Sequence, residues 1–316
     1  MRDAHFIAGD WGTSHLRLFL CDGDGGVLDS GNGPGAADAA GRFATIFESL
    51  SAPWRQRHGA LPAVLCGMVG SSIGWQQAPY VPCPARPEQI ADACVSLHGR
   101  NVRIVPGLSC RNRFNAPDFL RGEETQILGA MSLDPSLRRG HHLLCLPGTH
   151  SKWVALADGA IGEFLSAPTG ELFALLRDHS VLLRDRAAVD AVIGGAAFER
   201  GLAQFNAYPQ AQLLHRLFEC RARRLEGELT AQAAVAYLSG LLIASDIGGA
   251  LPLLSDAISA RTVHLIGSPE LTQLYALGLA PHDCTANRIE GGAASLAGLV
   301  QLHRQLISEA TTHASH

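Results

Sequence analysis

The chain has 316 residues, with 25 Lys plus Arg against 29 Asp plus Glu and a formal net charge of −4; 47% of it is apolar and 17% charged. That balance excludes a disordered chain, and it offers no basic patch for nucleic acid or for an anionic membrane. At roughly 150 residues per domain, the length suggests two domains or one large one. Of the 25 cations, 24 are arginine and one is lysine, Lys152. A coding bias that replaces lysine by arginine leaves two readings of the survivor: chance, or a task that needs an ammonium group. Eight cysteines are scattered with no C-x-x-C pair, which fits reduced thiols better than a disulfide scaffold or a zinc site. The first residues do not read as a basic and apolar leader, so a soluble cytoplasmic enzyme is expected.

In chain order, a strand begins at Phe6 and runs into Asp10-Trp11-Gly12-Thr13-Ser14. Leu16, Leu18 and Leu20 then alternate against Arg17, Asp22-Gly23 marks a turn, and Val27-Leu28 opens a third strand. Residues 36–57 read as a helix and 63–69 as a buried strand. The proline-rich stretch 78–87 forbids a long helix. Residues 87–98 read as helical and 102–105 as a strand. Residues 122–131 form a helix opening on Glu123-Glu124, where carboxylates suit the N-terminal dipole. The domain boundary falls near residues 134–142, giving an N-terminal lobe 1–138 and a C-terminal lobe 139–316, whose last helix is free to pack back toward the N-terminal lobe.

The opening grammar returns 136 positions later, and Gly12, Thr13, Asp22 and Gly23 map without a gap onto Gly148, Thr149, Asp158 and Gly159. A strand at 142–146 leads to the loop Pro147-Gly148-Thr149-His150, followed by strands at 153–156 and 161–165. Helices are expected at 172–183, 232–250 and 293–307, and a strand at 262–266 ending at Gly267-Ser268-Pro269. The apolar run 237–254 is interrupted by Asp246 and Gly248-Gly249, so it reads as a buried helix, not a membrane span. The fold class implied is α/β, in two similar halves with a cleft between them.

A Gly-Thr loop between strands presents backbone N–H groups and a hydroxyl at close range, which suits phosphate. Singly, each loop is an ordinary hairpin turn. The paired occurrence, with Asp10 able to hold Mg²⁺ directly or through water, points to a nucleotide.

The pattern resembles the actin-like ATPase and sugar-kinase superfamily, and within it is most similar to the 2-dehydro-3-deoxygalactonokinase family. The matching stretches are Asp10-Trp11-Gly12-Thr13-Ser14, Gly67-Met68-Val69-Gly70-Ser71, Ala78-Pro79-Tyr80-Val81-Pro82-Cys83-Pro84, Arg121-Gly122-Glu123-Glu124-Thr125-Gln126, Pro147-Gly148-Thr149-His150-Ser151-Lys152-Trp153 and Thr169-Gly170-Glu171-Leu172-Phe173. The first alone is superfamily-wide; the set in this order is specific. The resemblance implies two ribonuclease-H-like lobes with mixed sheets around a central cleft. It implies phosphorylation by ATP and Mg²⁺ of the 6-hydroxyl of 2-dehydro-3-deoxy-D-galactonate, in galactonate catabolism. One departure stands out: most relatives carry an Asp where this chain has Leu146, and here His150 and Lys152 flank Thr149 instead.

On this reading Asp10 organises Mg²⁺. Gly12, Thr13, Ser14, Gly148, Thr149, His150 and Gly170 hold phosphates, with Lys152 as a point charge against them. Gly267 and Ser268 fall where relatives pack adenine and ribose; Gly291-Gly292 is a weaker candidate. Glu124 takes the hydroxyl proton, with Glu123 and Asp118 as alternatives, and both glutamates could merely cap their helix. Gly67, Met68, Ser71, Trp75 and Tyr80 form a glycine-rich and aromatic segment for the sugar. Arg121 is set for its carboxylate, with Arg111 and Arg113 also near.

Rival readings are a kinase for a related acid such as 2-dehydro-3-deoxygluconate, a phosphatase or polyphosphatase on the same fold, and a sugar-sensing protein without catalysis. Gly70-Ser71-Ser72-Ile73-Gly74 matches the nucleophile elbow of hydrolases, but the glycine and prolines after it deny it the required helix. His141-His142 on a strand point to opposite faces and make no metal pair. The partners expected are a sugar acid and ATP, with no nucleic acid and no membrane. The oligomeric state stays open, a homodimer included.

Overall fold

The computed structural model describes residues 3–183, 194–208, 210, 212–254, 256 and 261–313. They divide into two compact units. One holds the chain up to Gly140, residues 156–163 and everything from Ile289; the other holds residues 141–155 and 164–288.

The first unit opens with β1 (Ala4–Trp11), β2 (His15–Asp22) and β3 (Val27–Pro34). β1 pairs antiparallel with β2, and β2 with β3. The alternation in β2 is realised: Leu16, Leu18 and Leu20 are buried while Arg17 is half-buried. α1 (Phe43–His58) starts later than the sequence suggests, because the glycine-containing stretch before it forms turns and Gly41 has φ 73°. β4 (Ala63–Gly67) is buried at every position and pairs parallel with β1. A 3₁₀ turn at Met68–Gly70 replaces the expected end of that strand. β5 (Tyr80–Pro82) follows.

The helix expected over 87–98 ends early as α2 (Pro87–Asp92), and β6 (Val95–Ser96) takes up its second half, pairing antiparallel with β7 (Val102–Ile104). The β-branched Val95 fits a pleated edge better than a further helical turn. β8 (Gly107–Arg111) and β9 (Pro117–Leu120) join β5 in a small three-stranded sheet that the sequence did not reveal. α3 (Glu123–Leu133) ends the continuous part of this unit. The main sheet runs β3-β2-β1-β4-β7-β6.

The second half repeats the plan. β10 (His141–Leu146), β11 (Ser151–Ala157) and β12 (Ala160–Ala167) lead into α4 (Thr169–His179). Then come α5 (Gly195–Ala207), α6 (Leu213–Arg216), α7 (Glu219–Leu225), α8 (Ala231–Leu253), β13 (Thr262–Gly267), α9 (Pro269–Leu279), β14 (Thr285–Glu290) and α10 (Gly291–His313). The sheet order is β12-β11-β10-β13-β14, matching β3-β2-β1-β4-β7 strand for strand. The same chain order therefore builds the same half-fold twice, as ribonuclease-H-like lobes do.

α8 is long and apolar enough to cross a membrane, yet most of it is buried inside the protein. Tyr237, Leu238, Leu241, Ala244 and Ile247 are wholly inaccessible, so a helix apolar all round is a core helix here. Thr230 caps its start by accepting from the Ala233 N–H at 3.1 Å. Each unit also contains a helix pair crossing at glycine. A Cβ on Gly298 of α10 would lie 2.0 Å from the Thr125 carbonyl of α3, and one on Gly240 of α8 2.2 Å from the Phe198 carbonyl of α5. No side chain fits at either crossing, which fixes α3, and the acidic residues at its start, close against α10.

Candidate active site

The first loop joins β1 to β2. The Gly12 N–H donates to the His15 carbonyl at 2.9 Å, closing the hairpin and leaving Thr13 and Ser14 exposed. The chain after β3 runs directly beneath it: a Cβ on Gly35 would sit 2.2 Å from the Thr13 carbonyl, and the Ala37 N–H donates to that carbonyl at 3.1 Å. Over the loop lies a cavity of about 330 Å³ lined by Asp10, Gly12, Ser14, His15 and Arg17. The Arg17 guanidinium donates to Asp10 Oδ2 at 2.7 Å. The other Asp10 oxygen takes no hydrogen bond from a described residue.

No group of three or more His, Cys, Asp or Glu side chains gathers as a metal cage among the described residues. One free carboxylate oxygen beside an open loop nevertheless suits Mg²⁺. That ion keeps several waters and is commonly held by one or two carboxylates plus substrate phosphate.

The second loop is built alike. A Cβ on Gly170 would lie 2.4 Å from the Gly148 carbonyl, and the Glu171 N–H donates to the Thr149 carbonyl at 2.9 Å. Thr149 and His150 are exposed, and His150 Nε2 pairs with Glu171 at 2.8 Å. Here the supporting segment is the first turn of α4, so a helix N-terminus stands at the loop. Lys152 is 6% exposed and donates from Nζ to Ser166 Oγ at 2.6 Å. Gly267 packs near Pro147, and Ser268 caps α9, its Oγ accepting from the Leu271 N–H at 3.2 Å.

Two carboxylates approach the carboxyl end of β4. Asp10 pairs across to Cys66 in the parallel register of β1 and β4. Burial, and after it the charges of Asp10 and Glu124, push the Cys66 thiol well up. Gly122, which precedes α3, comes so close to Gly67 that a Cβ on it would lie 3.4 Å from the Gly67 Cα. Glu124 is fully buried, accepting from the Gly122 N–H at 2.6 Å and the Thr125 hydroxyl at 2.9 Å. Burial first, and the neighbouring Glu123 second, push its pKa up to about 7. Glu123 accepts from the Arg121 N–H at 3.0 Å, so both acids also satisfy backbone donors at the helix start. Asp118 accepts from Asn112 Nδ2 at 3.3 Å and the Phe119 N–H at 2.9 Å, which ties it to the β8–β9 hairpin.

The glycine-rich segment after β4 folds on itself. Ser71 is buried and donates to the Met68 carbonyl at 2.8 Å. No helix follows Ser71, so a nucleophile elbow is absent. Trp75 turns into the first unit's core, its ring 5.6 Å from Phe47. Arg121 lies over the Tyr80 ring at 4.4 Å and donates from one Nη to the Ala78 carbonyl at 2.8 Å. Its Nε and other Nη are buried without a described partner. Arg111 donates to the Asn115 carbonyl at 2.8 Å, and Arg113 pairs with Glu163 at 2.6 Å. The structure thus brings Gly67, Met68, Ser71, Tyr80 and Arg121 around one segment, and commits Trp75 to packing.

The sequence profile of a family described as 2-keto-3-deoxy-galactonokinase matches residues 10–302. The chain belongs to the 2-keto-3-deoxy-galactonokinase family. It is 39% identical over 302 residues to a 2-dehydro-3-deoxygalactonokinase of Rhizobium meliloti (strain 1021), covering 93% of this chain and 95% of the relative. It is 33% identical to the 2-dehydro-3-deoxygalactonokinase of Escherichia coli (strain K12), covering 94% and 96%. A crystal structure from Sinorhizobium meliloti, assigned to the same activity, superposes with a TM-score of 0.84 at 36% identity, over 95% of this chain and 98% of that one. At 9% identity and TM-score 0.52, the fold extends to the ADPNP-bound activator of 2-hydroxyisocaproyl-CoA dehydratase from Clostridium difficile, over 97% of both chains. Within the family, this chain is a sugar-acid kinase.

Three residues with structural weight carry little signal in the sequence. Arg17 stands there only as the polar member of an alternating strand. Gly35 carries no motif of its own in the sequence. Asp246 looked like an interruption, although a lone acid inside an apolar helix is itself a signal of a buried partner set.

Proposed function

We propose that the chain transfers the γ-phosphoryl group of ATP to the 6-hydroxyl of 2-dehydro-3-deoxy-D-galactonate, in the cytoplasm, as a step of galactonate catabolism. The observation that carries this reading is the family match over residues 10–302, and the twice-built Gly-Thr loop supplies its chemistry.

Phosphoryl transfer asks a protein mainly for positioning and charge stabilisation. Thr13, Ser14, Thr149 and His150 are exposed loop residues whose amides and side chains would hold phosphate oxygens, with Gly12, Gly148 and Gly170 allowing close approach. Gly267 and Ser268 stay assigned to the adenosine end, the Ser268 hydroxyl keeping its role as a cap. Asp10 would hold Mg²⁺ by its free oxygen while Arg17 fixes the other. When bound, the ion supplies charge neutralisation of the phosphates. Lys152 would add positive charge beneath the second loop.

Glu124 would accept the proton from the 6-hydroxyl. A base with a pKa near 7 is half ionised at neutral pH, which suits a group that must take a proton and then release it. Arg121, whose Nε and one Nη take no described partner and whose guanidinium lies against Tyr80, would supply the positive charge that meets the sugar acid's carboxylate.

The test is an ADP-release assay over a panel of keto-deoxy sugar acids and plain hexoses. Release that depends on 2-dehydro-3-deoxygalactonate is expected. A preference for 2-dehydro-3-deoxygluconate or for a hexose overturns the substrate assignment, and phosphate release without acceptor overturns the kinase reading. Arg121→Ala should raise the KM for the sugar acid about tenfold or more while leaving the KM for ATP in place.

A further inference from the structure

Asp246 lies in the middle of α8, 9% exposed. Its carboxylate gathers donors from three other elements. The Trp153 Nε1 of β11 donates to Oδ1 at 2.9 Å. The Thr169 hydroxyl, at the first residue of α4, donates to Oδ2 at 2.8 Å, and the Tyr275 hydroxyl of α9 donates to the same oxygen. Ser151 joins the network through Tyr275, its Oγ 2.7 Å from that hydroxyl. Burial raises the Asp246 pKa, and these donors pull the other way.

Two members of the network bracket the second loop. Ser151 directly follows His150, and Thr169 directly precedes Gly170, whose backbone touches the Gly148 carbonyl. A small cavity of about 60 Å³ adjoins the network, lined by Gly148, Thr169, Gly170, Phe173 and Tyr275 among others. Burying a carboxylate in an apolar helix is costly, and a core need not contain one. Its linkage to hydroxyls at both borders of one exposed loop gives it a purpose.

We propose that Asp246 is the positioning residue of the second Gly-Thr loop: through Thr169, and through Tyr275 to Ser151, it holds the α4 N-terminus and the β11 start in the register that lets the loop receive nucleotide phosphate. The inference rests on reading that loop as a nucleotide site.

The experiment uses the full chain. Asp246→Asn keeps the shape but presents an amide N–H₂ to groups that donate, and should raise the KM for ATP about tenfold while the KM for the sugar acid changes less than about twofold. Thr169→Val removes a single donor and should raise the KM for ATP by about threefold, with Thr169→Ser restoring it. Thermal unfolding is measured beside each. A lowered Tm with unchanged KM for ATP in both Asp246→Asn and Thr169→Val overturns the proposal, leaving Asp246 as a core hydrogen-bonding residue alone. If Asp246→Asn does not fold, the Thr169 pair decides. Gly170→Ala separates the two readings, since its Cβ would collide with the Gly148 carbonyl. If Gly170→Ala raises the KM for ATP and the other variants do not, the positioning role falls and the nucleotide site stands. If none of the three moves it, the nucleotide reading of this loop falls and takes the proposal with it.

Discussion

The two Gly-Thr loops share a frame and differ in where their charge sits. In each, a hairpin turn is seated on a glycine just past the third strand, and the residue one or two further on donates its N–H to the loop threonine's carbonyl. In the first loop the carboxylate comes from the strand itself, as Asp10, and faces an open cavity with Arg17 beside it. In the second, the matching position is Leu146, 3% exposed, and the carboxylate comes from α8, where three donors enclose it. Asp10 keeps one oxygen open toward that cavity, whereas both oxygens of Asp246 are taken by protein donors. The two loops therefore differ in geometry: an open carboxylate stands at the first, and one held within protein stands behind the second.

That contrast predicts that substitutions around the first loop act on kcat and those around the second on the KM for ATP. The largest effect is expected at Glu124→Gln, with kcat lowered by about 10²–10⁴-fold. The parent enzyme should lose activity as pH falls below about 7, because the base must be ionised, and the variant should lose this acid limb. A variant with near-normal kcat would return Glu124 to helix capping. Asp10→Asn should lower kcat by about 10²–10³-fold, and added Mg²⁺ should recover part of it. If the loss appears wholly in the KM for ATP, the two loops are not divided as described.

Lys152→Met is expected to raise the KM for ATP by about fivefold with kcat nearly preserved. Unchanged kinetics would leave Lys152 a buried cation of the second unit, bonded to Ser166, with no part in holding ATP.

The smallest effect concerns stability and belongs to the first unit alone. His303 of α10 stacks on Phe6 with ring centroids 3.8 Å apart, and burial pushes its pKa down to about 4. An unfolded histidine binds a proton near pH 6.5, so the folded state loses stability as pH falls from about 6.5 to about 4, and no further below that. Amide exchange should show α10 loosening over this range while α8 does not. His303→Phe should remove the difference.

Much of this was legible in the sequence, at particular residues. Leu16, Leu18 and Leu20 announce a strand by alternation, and the 136-residue offset announces that the half-fold is built twice. Those signals are local and periodic. The three-stranded sheet of β5, β8 and β9 was not legible, because its strands are short and β5 pairs with β8 across the intervening α2, β6 and β7. α1 began late and α2 stopped early because turns and a pleated edge satisfied their backbones better than further helical turns.

The sequence by itself determined the family, the paired loops, the acids at the start of α3 and the lone lysine. Each is a matter of residue type at a spacing. The tertiary structure alone decided what those residues touch. It turned Lys152 toward Ser166, Trp75 into the core and Arg17 onto Asp10, and raised Glu124 by burying it. It also converted Asp246 from a flaw in an apolar helix into the centre of a network. Burial and hydrogen-bond partners come from segments distant in sequence, and no local pattern encodes them. The lone lysine is conspicuous in the composition, whereas the single aspartate of α8 becomes conspicuous only through its partners.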